Sequence, residues 1–186
     1  EARRLETLGR ASSNTKIAEA ITLLKKEKIY TVCDSILGLP GETEEDLLGL
    51  AGFYAGHTPD RNEVFFLKYY PRTKLTLRAA ESGLLGPRAV AELEGGRGQA
   101  GIISVPAKTS ARLARWLRLL LILPLLPGAL RKTAARHPRL FALAPGGLFL
   151  RILARLIKRP EYDFNTSRFT RLYRYFIWLK LKGLWR

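Results

Sequence analysis

Methionine is absent from the 186-residue chain, and cysteine is nearly so. Cys33 stands alone, which excludes an intrachain disulfide and any metal cage built from cysteine only. Histidine is scarce as well, and His57 and His137 share no metal-ligand spacing with each other or with Cys33. Unbroken apolar sequence is missing too. A membrane span needs about 20 apolar residues, whereas "SARLARWLRLLLILPLLPGAL" is interrupted by Arg118 and broken at Pro124 and Pro127. The opening "EARRLETLGR" carries no cleavable signal pattern and no initiating Met. These features read as a piece of a longer polypeptide from a cytoplasmic, reducing compartment. Internal repeats and low-complexity runs are absent.

Acidic residues are missing from one half. Residues 1–100 hold 14 Lys+Arg and 14 Asp+Glu, whereas residues 101–186 hold 18 Lys+Arg against Glu161 and Asp163 alone. The whole net charge of +16 therefore sits in the second half. A step that sharp suggests two segments with different tasks, and the Gly-rich "GPRAVAELEGGRGQAG" is the natural joint.

What the front half does contain is an alternation of helix and strand signals. "SNTKIAEAITLLKKE" begins at an N-cap, Asn14 or Thr15, and sets Ile17, Ile21 and Leu24 on one helical face. "IYTVCDSILGL" is apolar without sustained alternation, as expected of a strand covered on both faces. "TEEDLLGLAGFYAG" has Thr43 and Asp46 at capping-box spacing, and Glu44 and Glu45 complement the helix dipole. "NEVFFLKYY" reads as a second buried strand, and "RTKLTLRAAESGLL" as a helix stopping at Gly83. Helix, strand, helix, strand, helix implies an α/β fold with parallel strands joined by crossovers. Ligands in such sheets sit beyond the strands' carboxyl ends, where "GLPGE" lies.

The turn has readable chemistry. Gly38 lets backbone approach a flat ligand, Pro40-Gly41 forces a sharp reversal, and Ile36 offers an apolar surface beside exposed strand-end groups. Together they could hold a planar heterocycle such as adenine. A tight turn made for packing alone would use the same residues.

The run "DSILGLPGETEEDL", the preceding "AITLLKKEKIYTV" and the later "FFLKYYPRTKLTLRAAESGLL" resemble the later part of the radical SAM superfamily barrel, across about residues 5–86. The likeness points to the branch that often carries an upstream cobalamin-binding domain, and to related tRNA-modifying members. It implies a partial (β/α) barrel over 1–86, a linker over 87–106 and an all-α basic extension over 107–186. It also implies that Asp34, Ile36 and Gly38 lie at the adenine of S-adenosylmethionine. A second strand end closes such sites, so Leu67, Tyr69 and Tyr70 join the candidates. That end, often Tyr-Pro-Gly-Thr, here reads Tyr70-Pro71-Arg72-Thr73, with Arg in place of Gly.

Radical SAM chemistry further requires a 4Fe-4S cluster on a Cys-x3-Cys-x2-Cys motif, and a lone Cys33 cannot hold one. The expectation is therefore the C-terminal part of such an enzyme, not catalytic alone, with the missing N-terminal part of the barrel as its partner and Cys33 as a small buried hydrophobe.

The basic extension reads as helices. Lys108, Arg112 and Arg115 share one side of a helix that gives Leu113, Trp116, Leu117 and Leu120 to much of the rest. In "GGLFLRILARLIKRP", Arg151, Arg155, Lys158 and Arg159 form one stripe, and Phe149, Ile152, Leu153, Leu156 and Ile157 the other. "FNTSRFTRLYRYFIWLKLKGLWR" mixes aromatics with Arg and Lys all round. Three destinations compete. The helices pack on each other or on the barrel with a solvated basic face. They lie on an anionic membrane surface, peripheral at its inner face, with Trp116, Trp178 and Trp185 at the interface. Or they contact RNA through phosphates and stacking, for which the apolar content is high. A non-catalytic membrane or RNA-binding protein on an α/β scaffold is the alternative to the enzyme fragment.

Overall fold

A computed structural model of the chain describes residues 9, 12–96, 107–143, 149, 150 and 152. The fold is mixed α/β. Helix α1 (Asn14–Lys26) precedes strand β1 (Val32–Leu37), helix α2 (Glu44–Gly56) and strand β2 (Arg61–Phe66). Helices α3 (Lys74–Glu81), α4 (Pro87–Glu94), α5 (Ala107–Ile122) and α6 (Gly128–Arg136) follow, with 3-10 turns over Leu123–Leu125 and Pro138–Leu143. The two strands pair in parallel, with Val32 opposite Arg61 and Leu37 opposite Phe66.

Local chemistry sets the element starts. Thr43 accepts a hydrogen bond from the Asp46 N–H while Asp46 accepts from the Thr43 N–H, the reciprocal box expected for α2. The cap of α1 is Ser13, one residue before the expected position, and its Oγ accepts the Lys16 N–H at 3.2 Å. Helix α3 is capped by Thr73 and ends where Gly83 takes a φ of +68°. Helix α4 occupies the start of the stretch expected as a linker, because Pro87 at its first turn and the helix-forming "AVAELE" favour it. Residues 97–106 lie outside the described residues.

Strand β1 differs from its expected burial. Ser35 and Leu37 are buried, but Val32, Asp34 and Ile36 are exposed. The cause is one-sided cover. Ser35 Oγ donates to Tyr54 Oη of α2 at 3.1 Å, and Asn62 Nδ2 donates to the Leu120 carbonyl of α5 at 2.9 Å. Ser35 and Asn62 lie on the same sheet face, so both helices pack there. On the opposite face, Arg61 and Glu63 are buried near the amino ends, with Nε and Oε1 3.4 Å apart. Towards the carboxyl ends of that face, Ile36 and its register partner Phe65 are 37% and 44% exposed.

One apolar cluster joins Leu37 and Val64 to Leu47, Ala51 and Tyr54 of α2 and to Leu113, Trp116, Leu117 and Leu120 of α5. The basic extension thus supplies much of the core over the sheet, as the packed-helix expectation held for this helix. Trp116, an expected interfacial residue, is fully buried. Pro124 and Pro127 break the apolar run as foreseen, at the 3-10 turn and before α6. No helix of the described residues is long and apolar enough to cross a membrane. Leu150 is buried in the core, whereas Phe149 and Ile152 of the expected apolar stripe are exposed and half-buried. The remaining stripe residues Arg151, Leu153, Arg155, Leu156, Ile157, Lys158 and Arg159, and also Trp178 and Trp185, lie outside the described residues.

Candidate functional site at the strand ends

The site is built from the carboxyl end of β1 outward. Gly38 follows the strand directly at a φ of +86°, a conformation that suits glycine and opens the turn. Glu42 comes back beneath it. Its Oε2 accepts the Gly38 N–H at 2.8 Å, while the Glu42 N–H closes the turn on the Leu39 carbonyl at 3.0 Å. On the other side, Tyr69 Oη donates to the Gly38 carbonyl at 2.6 Å. Both peptide groups of Gly38 are therefore engaged within the protein. What this glycine does is lock the end of β1 to the segment after β2.

Tyr69 is almost fully buried in a second, smaller apolar cluster with Ala79, Leu85 and Leu93, against which Leu67 also packs. Burial, and then the Glu42 carboxylate, hold its phenol well above the ordinary tyrosine range, so it stays a neutral donor. The Leu67 N–H donates to the Leu37 carbonyl at 2.8 Å and carries the sheet one step past β2.

The six candidates thus divide. Gly38, Leu67 and Tyr69 are joined in the frame, whereas Asp34, Ile36 and Tyr70 are exposed. Asp34 and Ile36 share the face opposite the helices. Tyr70, at 48% exposure, opens the next turn, and its carbonyl accepts both Thr76 Oγ1 at 2.6 Å and Thr73 Oγ1 at 3.2 Å. In that turn Arg72 takes a φ of +58°, a conformation that glycine would hold easily. A non-glycine residue there costs on the order of 1 kcal/mol.

Cys33 lies on the helix-covered face and packs against the main core. Burial, and then the Asp34 carboxylate, push its thiol up. It is a protonated, half-buried side chain, as its isolation in the sequence suggested. Among the described residues no three of His, Cys, Asp and Glu are grouped to hold a metal ion.

Several residues at this edge escaped the sequence reading. Leu113 of α5 caps the outer side of the turn, 3.4 Å from where a Gly38 Cβ would stand. Glu44, read as a helix-dipole acid, also accepts from Arg115 Nη2 at 2.7 Å and Trp116 Nε1 at 3.1 Å. Arg112 lies 3.9 Å from the same carboxylate and donates to the Glu42 carbonyl at 3.3 Å. The available signal was charge: α5 holds four cations and no acid, so any carboxylate partner had to come from another element. Between the Gly38–Glu42 turn, Gly83-Leu84 and the first turns of α5 lies a cleft of about 800 Å³.

No protein-family model matches the chain, and neither the curated proteins nor the solved structures contain a match.

Proposed function

We propose that this chain is the C-terminal part of a radical SAM enzyme and contributes the adenine side of its S-adenosylmethionine site. The observation that carries this reading is the one-sided helix cover of the sheet. Ile36 stands 37% exposed at the end of β1, next to a locked glycine turn, with both packed helices on the opposite face. A barrel has helices outside and strand residues facing its lumen, so a sheet with its helices on one face is what a partial (β/α) barrel would present. The ladder agrees. Thr31 and Leu37 carbonyls accept from the β2 side, at Arg61 and Leu67, so the alternating peptide groups of Val32, Asp34 and Ile36 face away from β2. That open edge suits a preceding parallel strand from the rest of the barrel.

The residues present fit an adenine ring. Ile36 offers an apolar surface, while Tyr70 stands exposed at the next turn. Gly38 and Tyr69 hold the two strand ends in place and are positioning residues. The residues present do not fit the 4Fe-4S cluster, because Cys33 is single, protonated and on the wrong face. Its ligands, and any cobalamin site, belong to other polypeptide, and no step of the reaction is assigned to this chain.

The test is S-adenosylmethionine binding by the full-length, cluster-loaded protein. Ile36→Glu puts a carboxylate at the proposed ring contact on an already exposed position, and affinity should fall at least about tenfold with cluster content unchanged. Unaltered affinity rejects the assignment. Peripheral membrane contact finds no support in α5, whose apolar face is used in the core.

A further inference from the structure

We propose that the cleft on the outer side of the Gly38 turn binds a phosphate monoester carried on an apolar body. The inference concerns the helix side of the sheet and stands independently of the adenine assignment.

The cleft wall is strongly biased in charge. Lys108, Arg112, Arg115 and Arg118 line it from α5, spaced four, three and three residues apart, which is one stripe of a helix. Glu42 is the carboxylate in that lining, and its Oε2 is turned to the Gly38 N–H. Opposite the stripe, Gly38, Gly41 and Gly83 present backbone instead of side chains, which keeps the cleft open. A phosphate monoester carries about −1.5 to −2 charges near neutrality and accepts several charge-assisted hydrogen bonds. A guanidinium fork matches that geometry better than any neutral donor could.

Size sets the rest of the ligand. At about 800 Å³ the cleft is far larger than phosphate and lies within the range of small-molecule sites. Leu39, Leu84 and Leu113 supply apolar wall beside the cations, so a ligand that joins an anionic group to hydrocarbon is complementary to the lining. The wall can also respond. Arg115 Nε is buried without a hydrogen-bond partner among the described residues, although its Nη2 donates to Glu44 Oε1. The guanidinium thus keeps a donor that an arriving anion can draw on.

Either a soluble phosphorylated compound or a lipid headgroup could supply this chemistry, and calorimetry on the full chain separates them. Phenyl phosphate should bind at physiological salt, phenol should not, and inorganic phosphate should bind more weakly than the ester. Vesicles containing phosphatidic acid form the second arm, and flotation with these vesicles in the absence of phenyl phosphate binding assigns the lipid source. Lys108→Gln with Arg112→Gln should weaken binding at least about tenfold. Ala111→Trp keeps every charge but fills the cleft from an exposed position, and should cause a similar loss. Because the chain is so basic, a distant control is essential. Lys132→Gln with Arg136→Gln, on exposed positions of α6, removes the same charge and should leave affinity within twofold. Equal weakening by that control, undiminished binding by Ala111→Trp, or binding of neither probe overturns the proposal.

Discussion

A single hydroxyl fixes the geometry of the strand ends. Tyr69 Oη on the Gly38 carbonyl ties the turn after β1 to the segment after β2, and it does so from a buried ring. Removing it as Tyr69→Phe leaves the carbonyl without its donor and should cost about 1–2 kcal/mol in urea unfolding at neutral pH. The pH dependence follows from the raised phenol. The unfolded chain releases this proton near pH 10 or so, before the folded chain does. The stabilisation is thus complete below the unfolded value and is lost as pH rises towards the folded one. Stability should decline above about pH 10 in the wild type, and the Tyr69→Phe variant should show a shallower decline. None of this pairing was visible in "FFLKYY", where Tyr69 and Tyr70 are adjacent and chemically equal. One is sealed against Leu85 and Leu93 and the other is half exposed, a distinction made by helices α3 and α4 that pack later in the chain.

Among the elements, α5 differs most from its appearance. Its stripe of cations beside leucines and a tryptophan suits a membrane surface and a protein core equally well, since periodicity reports a face but not what covers it. Contact decides, and the contact is Glu44. It receives Arg115 and Trp116 together and so pins the helix to the start of α2. Glu44→Ala should destabilise the chain by about 1–2 kcal/mol, a modest figure because the carboxylate is 43% exposed. In a background with Trp178 and Trp185 changed to Phe, the emission of Trp116 should shift to the red. An unshifted spectrum would mean that Glu44 does not hold the helix. By contrast, the start of α2 was fully legible, because a capping box is written in four consecutive residues, Thr43 to Asp46. Signals that short survive folding. The burial of β1 was not legible, because apolar and polar residues fall on both of its faces: Ser35 sits in the core on a Tyr54 bond while Val32 and Ile36 stay out.

At the scale of the molecule, a two-stranded sheet is marginal alone, and the described β1–β2 pair draws its support from the helices packed on one of its faces. The α/β alternation, the parallel pairing and the location of the turn at the strand ends were all readable from residue order. That α5 would complete the core over the sheet was one of three destinations its periodicity allowed, and the charge step could not choose among them, since it marks composition and says nothing of packing.

The placement of Leu113 over Gly38 has a consequence for descent. A strand-end turn and a helix some seventy residues downstream touch, with Leu113 3.4 Å from where the missing Cβ would stand. A substitution at Leu113 therefore reaches the turn without altering any residue of it, and the surroundings of the strand end can change by mutation in the helix alone.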